Sequence, residues 1–394
     1  MTFKHLLWIG FFVLFSSGVP AEEAGQQAVL VTGASSGSGR VIAETLASKG
    51  YFVYAGARKQ EDLDALDAID NIKAIRLDVT VQDEIDAGVD TIRKEGRGLY
   101  GLVNNAGVAI LGPLIETKES DLDFLFDVNV YGPYRVTKAF APLIIESKGR
   151  IATIGSISGI LSASFYGPYS MSKHAMEAYT DSLAREMDKF GVTVSIIEPG
   201  GFNSKIGPST YQRMVANGFS PDESLYREEW EDSWLMENGG NYDLDNDVPG
   251  RIADAVRDIL ESPEPQRRYM IVGTRDSAES TVGKAMEEMV QLNEGQPHSL
   301  TRDELVAMLD ELLLSDTAVT APLPRLRLPG GRMARVPARA TGTTSTPARR
   351  AMRKAPGRNG AMAPWELRRP SGKITSERPR SSAATAPFSG RSSR

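Results

Sequence analysis

From Ala28 onward the chain alternates short apolar runs with longer stretches in which apolar residues recur every three or four positions. The short runs, rich in Val, Ile and Leu, predict buried strands, and the longer stretches predict helices with one face on a core. Strands are expected at 28–32, 51–55, 72–77, 101–104, 150–154 and 192–197. Helices are expected between them at about 40–49, 61–69, 82–94, 121–147 and 169–190. Gly50 and Gly191 stand where helix C-caps need a positive φ. Alternation of this kind predicts an α/β fold, a doubly wound and mostly parallel sheet covered on both faces.

After Gly200 the rhythm breaks. Residues 202–246 are acidic and irregular, with Tyr226, Trp230, Trp234 and Tyr242 interspersed, too many aromatics for a bare surface excursion. We expect a lid lining a hydrophobic pocket. A helix at 248–260 and a last strand at 267–273 follow, so the folded domain runs over 28–275. Residues 276–320 are expected to form a helical extension, in which Leu305, Met308, Leu309, Leu312 and Leu313 share one face of a helix at 301–314. That face is expected to pack on the core or on a second subunit.

Composition changes the picture at the two ends. Residues 321–394 hold 17 Lys and Arg against 2 Asp and Glu and ten of the prolines, so a tail of +15 follows a body of −21. With almost no aliphatic pattern, the tail is expected to be disordered. A basic tail invites nucleic acid or an anionic membrane, but no aromatic spacing or fold motif supports nucleic-acid recognition. Residues 1–27, with Lys4 and His5 ahead of the apolar run Leu6 to Phe15 and then Val19-Pro20-Ala21, read as a signal peptide or an uncleaved membrane anchor. Retention as an anchor would leave the folded domain in the cytoplasm, whereas cleavage would export it. The absence of cysteine excludes disulfides, thiolate metal sites and cysteine nucleophiles, and three scattered histidines leave no metal site.

The segment Thr32-Gly33-Ala34-Ser35-Ser36-Gly37-Ser38-Gly39 leads out of the first strand and into the first helix. Glycines there allow a tight turn and close approach, and the helix N-terminus offers N–H groups to an anion, so the turn reads as a phosphate cradle for a dinucleotide. Tyr169 and Lys173, four residues apart at a helix start, share one face. An ammonium near a phenol is expected to draw its pKa down toward neutrality, making an acid/base pair. Ser156 lies thirteen residues before the tyrosine.

With Asn104-Asn105-Ala106-Gly107, Asn129, Ser156, Tyr169-Ser-Met-Ser-Lys173 and Pro199-Gly200 in this order, the chain resembles the short-chain dehydrogenase/reductase superfamily over roughly residues 28–275. The resemblance implies a Rossmann fold and hydride transfer between a nicotinamide cofactor and an alcohol or carbonyl. It implies that Ser156 bonds the substrate oxygen, Tyr169 transfers its proton, Lys173 also holds the nicotinamide ribose, and Asn129 keeps a water in the proton relay. It also implies cofactor contacts from Gly33, Ser35, Ser36, Gly37, Ser38 and Gly39 at the phosphates and Asp78 and Val79 at the adenine. Asn105, Ala106 and Gly107 would follow along the ribose, with Pro199, Gly200, Phe202 and Ser204 at the carboxamide. Ser38 replaces the aliphatic residue usual in the glycine turn.

An NAD enzyme normally carries an acid at the end of the second strand; here Ala57 stands in that place and Arg58 follows, which favours NADP, with NAD the alternative. Glu198-Pro199-Gly200-Gly201-Phe202 and Arg268-Tyr269 are similar to the retinol and hydroxysteroid dehydrogenase branch, implying a small apolar alcohol or carbonyl as substrate. A homo-oligomer is expected. Competing readings are a non-catalytic nicotinamide-binding module and a scaffold attached to membrane or nucleic acid through the basic tail.

Overall fold

Strands that are apolar on both faces need a helix layer on each side. In the computed structural model, which describes residues 25–240 and 247–314, the first half supplies β1 (Ala28–Val31), α1 (Gly37–Ser48), β2 (Phe52–Ala57), α2 (Gln60–Asp67), β3 (Ile72–Arg76), α3 (Gln82–Glu95) and β4 (Gly101–Asn104). The second half adds α4 (Glu119–Phe126), α5 (Gly132–Glu146), β5 (Arg150–Ile154), α6 (Gly167–Met187) and β6 (Thr193–Pro199). Then come α7 (Ile206–Ala216), α8 (Arg227–Glu231), α9 (Trp234–Glu237), α10 (Val248–Glu261), β7 (Arg268–Ile271), α11 (Arg275–Asn293) and α12 (Arg302–Leu314). The strands form one seven-stranded parallel sheet in the order β3-β2-β1-β4-β5-β6-β7. This is the doubly wound Rossmann arrangement expected. Between β1 and β4 the winding reverses, which opens a crevice beyond the carboxyl ends of those strands.

Side-chain alternation divides the core into two layers. Val29, Val31, Val53 and Ala55 face Ile42 and Leu46 of α1 and Ile252, Val256 and Ile259 of α10. Leu30 and Tyr54 face Ile85, Val89 and Ile92 of α3 and Val136, Phe140 and Ile144 of α5. Each such aliphatic chain, fully buried, contributes about 1.5–3 kcal/mol. Gly50 and Gly191 adopt φ of 91° and 72° at the helix ends, as their positions require.

Four expectations are corrected. The stretch 121–147 is not one helix: a π-helical turn at Asp127–Tyr131 separates α4 from α5, where the Asn129 side chain leaves the helix to bond the backbone of Val108. The helix carrying Tyr169 begins at Gly167, with Pro168 inside its first turn, where a missing N–H costs nothing. Residues 202–240 are not irregular throughout, since α7, α8 and α9 occupy about half of them. Finally, of the two expected partners for α12 the core is not one: none of its residues is buried, and Met308, Leu309 and Leu312 line, with Met289 and Leu292 of α11, a groove of about 400 Å³. The expected leader before Gly25, Tyr242 of the expected lid and the basic tail at 321–394 lie outside the described residues.

Candidate active site

The turn after β1 is built by steric exclusion. Gly33 adopts φ of 65°, and a Cβ there would come within 2.9 Å of Ala106 Cα. Gly39 is tighter still: its Cβ would stand 2.3 Å from Asn105 Nδ2 and 2.4 Å from Gly33 O. Asn105 is the staple, donating from Nδ2 to Thr32 O at 2.9 Å and Gly33 O at 3.2 Å. Its Oδ1 accepts from Ser38 Oγ at 2.8 Å, which explains a serine where an aliphatic residue is usual. Thr32 Oγ1 accepts from the backbone N–H groups of Asn105 and Ala106 at 3.0 and 3.1 Å.

Ser36 leaves the first turn of α1 without a side-chain cap, and no acid stands in that turn. Its N–H groups therefore remain available to an anion. Gly37 adopts φ of 57°, and a Cβ on it would meet only Ser204 Cβ, 4.0 Å away. The glycine turn and the segment Pro199 to Ser204 thus face one another across open space. Phe202 anchors that segment on the core, and Ser204 Oγ accepts from Ile206 N at 3.3 Å. A dinucleotide pyrophosphate fits this donor set.

At the carboxyl ends of β2 and β3, the exposed Arg58 guanidinium lies 3.6 Å from Asp78 Oδ2, while Val79 is buried. Burial alone would push the Asp78 carboxyl up, but hydrogen bonds from Thr80 N and Oγ1 and the nearby Arg58 together hold it below its usual value. Arg76 adds a second guanidinium, bonding Arg58 O and Gln60 Oε1.

Ser156, the π-turn residue Asn129, and Tyr169 with Lys173 on α6 come from three separate segments into one neighbourhood. Ser156 follows β5 and caps a short 3-10 turn, accepting from Ser158 N at 3.1 Å. Its hydroxyl also engages the Tyr169 phenol and reaches Pro199 O at 3.4 Å. Lys173 is buried, donates from Nζ to Ile154 O at 2.9 Å, and holds that ammonium 5.6 Å from the centre of the Tyr169 ring. Asn129 Nδ2 donates to Val108 O and to Ser172 Oγ, which in turn donates to Tyr169 O, so Asn129 braces the first turn of α6.

The expected depression of the tyrosine is not found. Burial pushes the Tyr169 phenol up to about 12 despite the opposing hydrogen bond from Ser156, and burial brings Lys173 down to about 8, partly opposed by Glu177. Burial outweighs the attraction between the two groups because the ammonium sits beside the ring, bonded to Ile154 O, rather than at the phenol oxygen.

Above this neighbourhood, Trp230 of α8 is buried against Phe165 and Phe219, with ring centres 4.8 Å apart in both pairs, and Phe165 also meets Tyr226 at 5.8 Å. Glu116 ties the same segment to the loop after β4, accepting from Ser224 Oγ at 2.7 Å and Leu225 N at 2.8 Å. Sequence reasoning missed Glu116 and Glu177, and it named Thr32 and Glu198 only within longer motifs, with no role of their own. Only Glu198 had a local signal, an acid at the end of an otherwise apolar strand.

Among the described residues no helix is long and apolar enough to cross a membrane, and no cluster of His, Asp and Glu has the makings of a metal site. The family model described as short chain dehydrogenase matches residues 27–214. The chain is 32% identical to D-beta-hydroxybutyrate dehydrogenase, mitochondrial, of Rattus norvegicus over 271 residues, covering 63% of this chain and 78% of that protein. Retinol dehydrogenase 7 of the same species is 32% identical over 253 residues, covering 61% and 79%. A solved short chain dehydrogenase/reductase from Burkholderia phymatum, in complex with NAD, is 25% identical and superposes with a TM-score of 0.56 over 70% of this chain and 98% of that one.

Proposed function

The chain belongs to the short-chain dehydrogenase family and is an NAD(P)-dependent oxidoreductase acting on CH–OH groups; within that activity we propose that it interconverts an apolar alcohol with its ketone or aldehyde, prefers NADP(H), and uses Tyr169 as proton donor and acceptor. The observation that carries this reading is the convergence of the Ser156 hydroxyl, the Tyr169 phenol and the buried Lys173 ammonium, 5.6 Å from the centre of the Tyr169 ring, at the carboxyl ends of β5 and β6. A bound nicotinamide supplies or accepts the hydride. In carbonyl reduction Tyr169 gives its phenolic proton to the substrate oxygen, Ser156 donates a hydrogen bond to that oxygen, and the Lys173 ammonium stabilises the phenolate left behind. In alcohol oxidation the phenolate takes the hydroxyl proton. The proton held by Tyr169 to about 12 suits the reductive direction at neutral pH.

Ser35 to Gly39 would hold the pyrophosphate, Asp78 and Val79 the adenine, and Asn105 to Gly107 the ribose, while Pro199 to Ser204 would hold the carboxamide. Arg58 would take the 2′-phosphate, supported by its exposure and by the absence of an acid at Ala57. The Trp230 cluster, closed over the site by Glu116, supports a lid over an apolar substrate. Exposed Tyr131 on the π turn, Tyr134 on α5 and Met171 on α6 support a homo-oligomer. The apolar run Leu6 to Phe15 supports membrane association with the enzyme domain in the cytoplasm, export after cleavage being the second reading. A panel of apolar ketones, aldehydes and alcohols with NADP(H) and NAD(H), followed at the nicotinamide absorbance, tests the proposal. Turnover confined to polar substrates, or a preference for NAD, overturns the corresponding part.

A further inference from the structure

Behind Lys173 stands a charge cluster that the proposed chemistry does not use. Glu177 follows Lys173 by one helical turn on α6, and Asp181 follows by a second. Glu198 closes in from the end of β6 and Arg268 from β7. The Arg268 guanidinium serves all three acids: it pairs with Asp181 through two bonds of 2.9 and 3.0 Å, and lies 3.1 Å from Glu177 Oε2 and 3.4 Å from Glu198 Oε1. Arg267 and Arg185 also stand near, and Arg267 feels Asp181 and Asp188 as partners and Arg268 and Arg185 as like charges. The side chains of Glu177 and Glu198 are 13% and 3% exposed, and both carboxyl groups lie on the same Arg268 guanidinium, close enough for each to bear on the other's charge. Both Glu177 oxygens and Glu198 Oε1 are sealed from solvent without a donor in good hydrogen-bond geometry.

Two buried carboxyl groups held on one guanidinium that is already committed to a third acid resist ionising together, even with the Lys173 ammonium one helical turn from Glu177. A proton on one would supply the donor that the other accepts. Glu177 also bears on the active site from two sides. Its charge favours the ammonium form of Lys173. Its side chain fills the space beside Gly159, where a Cβ would come 2.8 Å from Glu177 Oε1, directly under the turn that carries Ser156.

We propose that Glu177 and Glu198 share one proton, clamped by Arg268, and act as a positioning pair for Lys173, releasing that proton to solvent as the pH rises and so keeping the ammonium beside Tyr169 charged. Burial and the neighbouring Glu198 push Glu177 up to about 8, the same range to which burial brings Lys173. In that range the pair gains negative charge just where Lys173 would otherwise lose its positive one. The two titrations are therefore one coupled event.

This inference rests on the oxidoreductase reading for its kinetic consequence, not for the shared proton itself. The first test is infrared difference spectroscopy of the intact protein without substrate. A protonated-carboxyl band that titrates near pH 8 in the wild type should vanish at pH 7 in both Glu177→Gln and Glu198→Gln, because either acid alone is ionised by Arg268. The second is the pH profile of kcat/KM for carbonyl reduction. Its alkaline limb should move down by about half a pH unit in Glu177→Gln, so that the loss at pH 8.5 exceeds the loss at pH 6.5 by about threefold. No such band in the wild type overturns the shared proton, and a profile scaled equally at all pH values overturns the link to Lys173. A protein with the band but without nicotinamide-dependent turnover would instead refute the proposed function.

Discussion

Replacing Gly39 by alanine tests how the glycine turn is built. The new Cβ would stand 2.4 Å from Gly33 O and 2.3 Å from Asn105 Nδ2, and carbon atoms settle at about 3.5 Å, so turn and staple must part by about 1 Å. Overpacking of this kind costs about 1–3 kcal/mol. Displacing Asn105 also strains its bonds to Thr32 O and Gly33 O, at about 1 kcal/mol each. The total, about 3–5 kcal/mol, lowers the melting temperature of a body this size by about 10 °C. Gly37→Ala is the control: its φ of 57° costs an alanine about 1 kcal/mol, yet its Cβ enters open space. It should melt only a few degrees low while losing cofactor affinity, because the methyl group intrudes where the pyrophosphate would lie. Thermal unfolding by circular dichroism and NADPH binding by fluorescence separate the two variants. If Gly39→Ala melted within about 2 °C of wild type and bound NADPH normally, the staple would not be what shapes the turn.

Three other outcomes are expected. Ala57→Asp with Arg58→Ala should shift the ratio of kcat/KM toward NAD, by removing a cation and adding an acceptor for the 2′-hydroxyl; an unchanged ratio would confine Arg58 to its pairing with Asp78. Trp230→Ala should cost about 3–5 kcal/mol in denaturant unfolding and raise KM for apolar carbonyls, since it empties the centre of the Phe165 and Phe219 contacts. Folding lifts Glu177 from 4.5 to about 8, so between those values the folded protein binds more protons than the unfolded chain. The stability this group contributes is complete below pH 4.5 and is lost as the pH rises through 8. The melting temperature should therefore fall less steeply between pH 5.5 and 8.5 in Glu177→Gln than in wild type.

Much of the fold was legible because each buried strand is a local apolar run and each helix a local stripe. Val53 and Tyr54 could be assigned to a strand without knowing that they face opposite layers. Ser156, Tyr169 and Lys173 were legible through their order and spacing. What the chain hid was tertiary. The π turn at Asn129 exists because that side chain bonds Val108, and the clash that demands glycine at position 39 comes from Asn105. The helices α7 and α8 pack through Thr210 on Ala109 O and Trp230 on Phe165, so their strongest support lies far away in the chain. Glu177 and Glu198 share no local pattern at all; only the closure of β6 against α6 makes them a pair. The expected effect of Lys173 on Tyr169 failed for the same reason, since burial is not visible in a four-residue spacing.

If Tyr169 moves the proton in hydride transfer, Tyr169→Phe abolishes that step with the loss of one oxygen atom. Steady-state turnover of the best carbonyl substrate should fall by about a thousandfold or more, while NADPH binding, measured by fluorescence titration of the same sample, stays within about twofold of wild type. Lys173→Ala should damage both quantities. Substantial turnover by Tyr169→Phe, with cofactor binding intact, would contradict the account and move the proton transfer to another group.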